Sequence, residues 1–504
     1  MTNPDHLLGF DLGSSSVKVT LLNAATGKAV ASASSPSTEM NIDSPHKGWA
    51  EQHPDVWWQH AVNAARQVMK ASQASPSSIV AIGISYQMHG LVVVDKNHTV
   101  LRPSIIWCDS RAVETGEKAF AALGDSYCLN HLLNSPGNFT ASKLKWVQDN
   151  EPEVYGKIHK FMLPGDYLAM RLTGDLRTTV SGLSEGIFWD YKENDVSSAL
   201  LDYYGIDRSL IPDLVPTFGA QGTLTASAAS ELGLAPGTPV AYRAGDQPNN
   251  AFSLKTFEPG EIAATAGTSG VIYGIVDQPA FDRQSRVNPF VHVNHTELKQ
   301  RLGILLCVNG TGIMNSWLRR RLQLTGDPVP YEKMNQLAAS APIGSDQLVV
   351  LPFGNGAERM LQNKDLGASF HGLNLTRHET AHLCRAVQEG IVFSLAYGFE
   401  ILHEMGLRST VVRAGQANMF LSDVFSEIFV NTTGTHVELF NTDGAQGAAR
   451  GAGVGSGYYT SMASAFDGLT CLRQIEPEKA KQDNYRQVFE NWKNILQHQL
   501  SNLY

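Results

Sequence analysis

Two segments far apart in the chain share one pattern, and it restricts the fold more than any other feature. Leu7-Leu8-Gly9-Phe10 is an apolar run, Asp11–Ser15 is turn chemistry, and Val17–Leu22 is apolar-rich again. After residue 260 the same order recurs: Glu261–Ala266, then Gly267-Thr268-Ser269-Gly270, then Val271–Val276. Strand, glycine-hydroxyl turn, strand, met twice, points to two related α/β halves. A chain of 504 residues also exceeds the ~250–300 at which a single hydrophobic core stops growing. Pro259 and Gly260 mark the natural break, so domains are expected at 1–255 and 256–504.

The first half continues in kind. Ala29–Ser34 alternates weakly and reads as a third strand. Pro54 opens a helix carrying Val56, Trp57, Ala61, Ala64 and Val68, with Asp55 near its positive end. Ile79–Ile84 is a buried strand by composition, and Leu91–Val94 is expected to pair nearby. Near the far end, Tyr485, Val488, Phe489, Trp492, Ile495 and Leu496 make one apolar helix face, a docking helix without chemistry.

Composition removes several classes of partner. The 39 basic residues are outnumbered by 48 acidic ones, the net charge is -9, and no Lys/Arg run exceeds the three of Arg319–Arg321. Neither nucleic acid nor an anionic membrane has an electrostatic footprint here. Apolar runs such as Leu302–Val308 fall far short of the ~20 residues that span a bilayer. The start, Met1-Thr2-Asn3-Pro4-Asp5, lacks the basic and apolar stretches of a signal peptide. Five scattered cysteines without CxxC spacing suit buried thiols in a reducing compartment. The expectation is a cytoplasmic protein.

Two catalytic signatures match by letter only. His378-Glu379-Thr380-Ala381-His382 fits the zinc-protease helix, but Thr376 reads as the N-cap, leaving His378 and Glu379 in an exposed first turn. Gly182-Leu183-Ser184-Glu185-Gly186 fits the esterase elbow, which needs a helix after it. Ile187–Tyr191 reads as a strand, so a turn is expected. The common phosphate-loop and dinucleotide motifs are not found in the sequence.

What carries chemistry is a set of small-residue turns and isolated carboxylates. Asp11-Leu12-Gly13-Ser14-Ser15 leaves a strand with a carboxylate followed by N–H and hydroxyl donors. Such a turn wraps phosphate oxygens closely, and an Asp beside it can hold Mg²⁺ through water. Gly267-Thr268-Ser269-Gly270 supplies the matching turn. Asp246, in Arg243-Ala244-Gly245-Asp246-Gln247, sits at a strand end where it can take a proton from an attacking hydroxyl. Local sequence allows equally that Asp246 caps the helix after Pro248.

With these residues the chain resembles the FGGY family of sugar kinases, within the actin-like ATPase superfamily, over roughly Leu8 to Gly457. The most specific stretch is Gly83-Ile84-Ser85-Tyr86-Gln87-Met88-His89-Gly90-Leu91. Its Gln-Met-His-Gly run is similar to family members acting on D-xylulose. Trp107–Arg111, Lys143–Trp146, Leu163–Leu168, Arg171–Gly174, Gly367–Gly390 and Asp443–Ala449 are similar too. The resemblance implies an α/β fold of two actin-like (ribonuclease H-like) domains closing on a catalytic cleft. It implies transfer of the ATP γ-phosphoryl group to the 5-hydroxyl of D-xylulose, giving D-xylulose 5-phosphate. Asp246 would accept the proton. Met88, His89, Gln247, Asp109 and Trp107 would contact the sugar, and Asp11 would organise Mg²⁺. Gly13, Ser14, Ser15, Gly267 and Thr268 would meet phosphates, while Gly312, Gly415 and Asn418 would line the nucleotide site. The implied partners are a small-molecule sugar and ATP, with a homodimer allowed. Tyr86 departs from the small residue usual beside the Gln and could reshape the pocket. Gln388, Asn138 and the Ala414–Asn418 turn also depart. The alternatives are a kinase for ribulose, gluconate or glycerol, and a nucleotide-gated actin-like binding protein without sugar chemistry.

Overall fold

The computed structural model describes residues 4–322 and 329–503. Of the start read above, Met1–Asn3 lie outside the described residues.

The first sheet contains β1 (His6–Leu12), β2 (Val17–Asn23), β3 (Ala29–Ser35), β4 (Ile79–Tyr86) and β5 (Val240–Gly245). Their spatial order is β3-β2-β1-β4-β5. The β1–β2 and β2–β3 pairings are antiparallel, whereas β4 and β5 run parallel to β1. Helix α1 (Pro54–Ser72) follows β3 and buries Trp57, Ala61, Ala64 and Val68, whereas Val56, read with them, is exposed. Between β4 and β5 the chain builds α2 (Thr140–Asn150), α3 (Pro164–Thr173) and α4 (Val180–Glu185), and α5 (Asp246–Ser253) leaves β5.

The second sheet repeats this plan. Its strands are β6 (Ile262–Ala266), β7 (Gly270–Val276), β8 (Asn288–Val291), β9 (Leu302–Val308), β10 (Val411–Gly415), β11 (His436–Phe440) and β12 (Cys471–Ile475). The central order β9-β7-β6-β10-β11 has the same antiparallel and parallel pairings as β3-β2-β1-β4-β5. The internal repeat read from Gly9–Leu22 and Glu261–Val276 is therefore a repeat of whole sheets. Helices α6 (Thr311–Arg321), α7 (Thr380–Glu404), α8 (Gly444–Gly455) and α9 (Lys479–Ser501) belong to this part, with Tyr331–Ser340 and Asp423–Thr433 also helical.

The halves are joined by small residues. Helix α8 follows β11 of the second sheet yet packs on β1, β4 and β5 of the first. A Cβ on Gly83 would lie 2.0 Å from the carbonyl oxygen of Ala448, so backbone meets backbone there. That approach needs the glycine- and alanine-rich face of α8, with Ala445, Ala448, Ala449 and Ala452 all buried. Helix α5 meets α8 where Asn249 Nδ2 donates to the Gly444 carbonyl at 2.9 Å. The docking helix α9 buries Tyr485, Phe489, Trp492 and Leu496, and Trp492 Nε1 donates to Val350 at 2.8 Å.

Four local readings are corrected. Val92–Val94 pairs outside the main sheet, with Lys160–Met162. Gly182–Gly186 is not a turn: it lies on α4, capped by Thr179 accepting from Gly182 N. The His378–His382 helix begins at Thr380 with Glu379 as N-cap, so Thr376 lies outside it. Instead, Asn374 Oδ1 accepts from Thr376 and Arg377, and the amides a Thr376 cap would have held are taken by the Asn374 carbonyl (His378 N) and by His382 Nδ1 (Glu379 N). Of the cysteines expected to be buried, Cys128 and Cys384 are, but Cys108 is exposed.

Candidate active site

The site is built where β1, β4 and β5 end on the same side of the first sheet. Parallel pairing of Asp11 with Ser85, and of Gly245 with Tyr86, sets these strand ends side by side. Ligands of open α/β sheets bind outside the carboxyl ends of such strands. Asp11 Oδ1 accepts from Ser85 Oγ at 2.8 Å. Across from it Asp443 caps α8 through Gln446 N at 2.9 Å, and Lys18 Nζ bridges to Asp443 at 2.8 Å. Burial, opposed by the Ser85 bond and reinforced by Asp443, pushes the Asp11 carboxyl up to about 6.

Asp246 is the first residue of α5, with Gly245 as N-cap. A helix N-terminus favours a negative charge, and Gln247 donates to the carboxylate from both backbone and side chain. Burial, with the Asp11 charge behind it, wins over these and raises Asp246 to about 7. The side chain is partly exposed, so a ligand in the cleft can reach it. A carboxyl poised near neutrality is suited to take a proton and give it up again.

Met88 and His89 form the adjacent wall. His89 holds φ at 60°, in the left-handed region. Its Nδ1–H donates to the Glu185 carbonyl at 2.9 Å, and Phe139 stands edge-on at 4.7 Å. Burial and the charges of Lys143 and Arg359 lower its pKa to about 3, so the ring is neutral and Nε2 carries a lone pair. Lys143, itself buried, donates to the carbonyls of His89 at 2.8 Å and Ile106 at 2.9 Å. This lysine orders the His89 loop.

The two glycine-hydroxyl turns are held in the same manner. In the first, Ser14 O accepts from Gln52 Nε2 at 2.7 Å and Ser15 O from Met40 N at 2.7 Å. In the second, Gly267 O accepts from Gly312 N at 2.9 Å and Thr268 O from Ile313 N at 3.2 Å. In a trans peptide the next N–H points opposite the carbonyl, so Ser15, Ser16, Thr268 and Ser269 present donors away from these anchors. Gly312 is required: a Cβ there would sit 2.2 Å from Gly267 O. Asn418 flanks Gly267, and Gly415 ends β10. The structure thus gathers Gly267, Thr268, Gly312 and Asn418 in one place and Asp11, Met88, His89 and Asp246 in another.

One sugar-wall assignment changes. Asp109 is 0% exposed, and its carboxylate accepts from Ala50 N at 2.6 Å and from three nitrogens of Arg111. No lone pair is left for a ligand; Asp109 holds Arg111, which stacks 3.8 Å from Trp49. Trp107, by contrast, is 41% exposed and its Nε1 donates to Ser14 Oγ at 3.3 Å, so it borders the first turn. Tyr86 is fully buried against Gly165 and does not enter the pocket. The zinc signature is absorbed as well: His382 faces Asp346 at 3.4 Å, and no metal-holding cluster occurs among the described residues.

Sequence reading missed Ser85, Lys18 and Glu185. Ser85 was within reach of it, one pleat from Gln87, but its place opposite Asp11 depends on the register of the β1–β4 pairing. Glu185 was hidden inside the false esterase motif.

The models of the N-terminal and C-terminal domains of the FGGY family of carbohydrate kinases match residues 6–253 and 262–455. The chain belongs to this family and is a carbohydrate kinase. A xylulose kinase of Escherichia coli (strain K12) is 29% identical over 97% of this chain and 98% of its own length. One from Bacillus subtilis (strain 168) is likewise 29% identical, over 98% and 97%. The crystal structure of a xylulose kinase from Rhodospirillum rubrum superposes with TM-score 0.87 at 26% identity, covering 98% of each chain. A gluconate kinase from Lactobacillus acidophilus reaches 0.89 at 23% over 99% of each, a likeness of fold alone.

Proposed function

We propose that this kinase transfers the γ-phosphoryl group of ATP to the 5-hydroxyl of D-xylulose, forming D-xylulose 5-phosphate and ADP. The observation that carries the reading is Asp246, held near neutrality at the end of β5 beside Met88 and His89. The sugar oxygen attacks the γ-phosphorus, the bond to the ADP oxygen breaks, and the hydroxyl proton passes to Asp246. His89 Nε2 accepts from a second sugar hydroxyl, with Gln247 beside the base and Met88 shaping the wall. The xylulose kinases of Escherichia coli and Bacillus subtilis support the substrate.

The donors of Gly13–Ser15 and Gly267–Thr268 serve the phosphates, with Gly312, Gly415 and Asn418 around the nucleotide. The boundary between the sugar-binding and nucleotide-binding parts lies near residue 255. Mg²⁺ suits Asp11: two raised carboxyls in the same cleft, with Lys18 already paired, leave a deficit of positive charge. With no cluster of three ligands among the described residues, the ion would be held through water and the nucleotide. Bound there, it would neutralise charge developing on the phosphates. The net charge of -9 makes these local donors necessary, because the protein as a whole repels anions.

Coupled ADP-release assays over a panel of ketoses and polyols test the proposal. D-xylulose is expected to give the highest kcat/KM; preference for L-ribulose, gluconate or glycerol would overturn the substrate assignment.

A further inference from the structure

We propose that Glu185 is a positioning residue of this site, a neutral carboxylic acid wedged beneath Gly245 and Met88 that fixes where the base and the sugar wall stand. The proposal rests on the preceding reading only for the role of Asp246. Glu185 ends α4 and is 2% exposed. A Cβ added to Gly245 would lie 2.5 Å from its Oε2 and 2.6 Å from Met88 Cγ, so acid, methionine and strand end form one packed layer. Its backbone carbonyl receives the His89 Nδ1–H at 2.9 Å. One residue therefore touches His89 and lies, with Met88, against the residue that precedes Asp246.

Charge counting identifies it as neutral. The ionisable groups facing it are Tyr86 on β4, the neutral His89 just after that strand, Asp166 on α3, Asp246 on α5 and Tyr273 on β7, with Arg243 on β5 beside Tyr86 and Asp166. From β8 the Val291 backbone bonds α4, through Ser181 and Ser184. Three carboxyls thus share one guanidinium, and Arg243 is already paired with Asp166 at 3.2 Å, both 1% exposed. Asp246 must ionise to act as base, which leaves Glu185 as the group that keeps its proton. Its Oε1 is shut off from solvent with no hydrogen-bond partner among the described residues, a place tolerable for a neutral acid and costly for a carboxylate. Burial and the neighbouring Asp246 and Asp166 charges also hold its carboxyl well above the usual range. The Tyr86 hydroxyl bonds the acid, which gives this buried tyrosine a use in a site it does not enter.

The test compares full-length wild type, Glu185→Gln and Glu185→Ala, with ATP and D-xylulose. Glu185→Ala should raise the D-xylulose KM about tenfold or more and move the ATP KM by less than about twofold. Glu185→Gln, neutral and nearly isosteric, should restore the sugar KM and leave the acid limb of kcat/KM where it is. Infrared difference spectra at neutral pH should show a protonated-carboxyl C=O band in wild type that Glu185→Gln lacks. Wild-type sugar KM in Glu185→Ala overturns the positioning role. An acid limb moved to lower pH in Glu185→Gln, or no such band, overturns neutrality. If wild type consumed no ATP with any ketose, the functional reading would fail, and the infrared result would still decide the state of Glu185.

Discussion

At the scale of single residues the site works by opposing forces of known sign. Asp246 gains from the α5 N-terminus and from Gln247, and loses more to burial and to Asp11, which brings it to about 7. It must be ionised to accept the proton, so activity is present above that value and lost as pH falls through it. The pH profile of kcat/KM for D-xylulose should therefore drop about tenfold per unit on the acid side. A profile flat down to pH ~5 would exclude Asp246 as the base. His89 adds no limb of its own, because burial keeps it neutral throughout that range. Its φ of 60° suits Asn better than Ala. His89→Asn should keep the fold and raise the sugar KM about tenfold, the worth of one lost hydrogen bond; an unchanged KM removes His89 from the sugar wall.

At the scale of elements, the reach of sequence reading follows from what each signal depends on. The β1–β2 and β6–β7 hairpins were legible because apolar runs and glycine turns are local properties. Asp246 was legible as a strand end for the same reason. Asp109 was misread because its spacing cannot show that Arg111, two residues on, and Ala50, from another segment, consume its carboxylate. Glu185 was missed because its importance comes from packing between α4, β4 and β5, which no window of sequence contains. Nor could spacing show that α8, which follows the second sheet, packs on the first. The Gly444–Asp11 contact makes that crossing testable. A Cβ on Gly444 would lie 2.3 Å from Asp11 Oδ2, so Gly444→Ala must displace the start of α8 or the carboxylate. We expect a stability loss of about 1–3 kcal/mol in denaturant titration, with a fall in kcat. Normal stability and kcat would show that the helix start yields freely.

At the scale of the whole molecule, two like sheets are locked by α5 and α8, with the residues proposed for the sugar on one sheet and the second glycine-hydroxyl turn on the other. Chemistry then requires both halves to present their ligands together, and water, a competing nucleophile, to be kept out. ATP hydrolysis without sugar should run at less than about 1% of the rate with saturating D-xylulose. Equal rates would mean that the cleft does not couple sugar binding to phosphoryl transfer. The most direct test of the account is the position of the new phosphate ester. With wild type, ATP and D-xylulose labelled with ¹³C, NMR should show carbon–phosphorus coupling at C5. Asp246→Asn should form that ester about 10²–10⁴-fold more slowly while still binding ATP. An ester elsewhere on the sugar, or undiminished formation by Asp246→Asn, would contradict it.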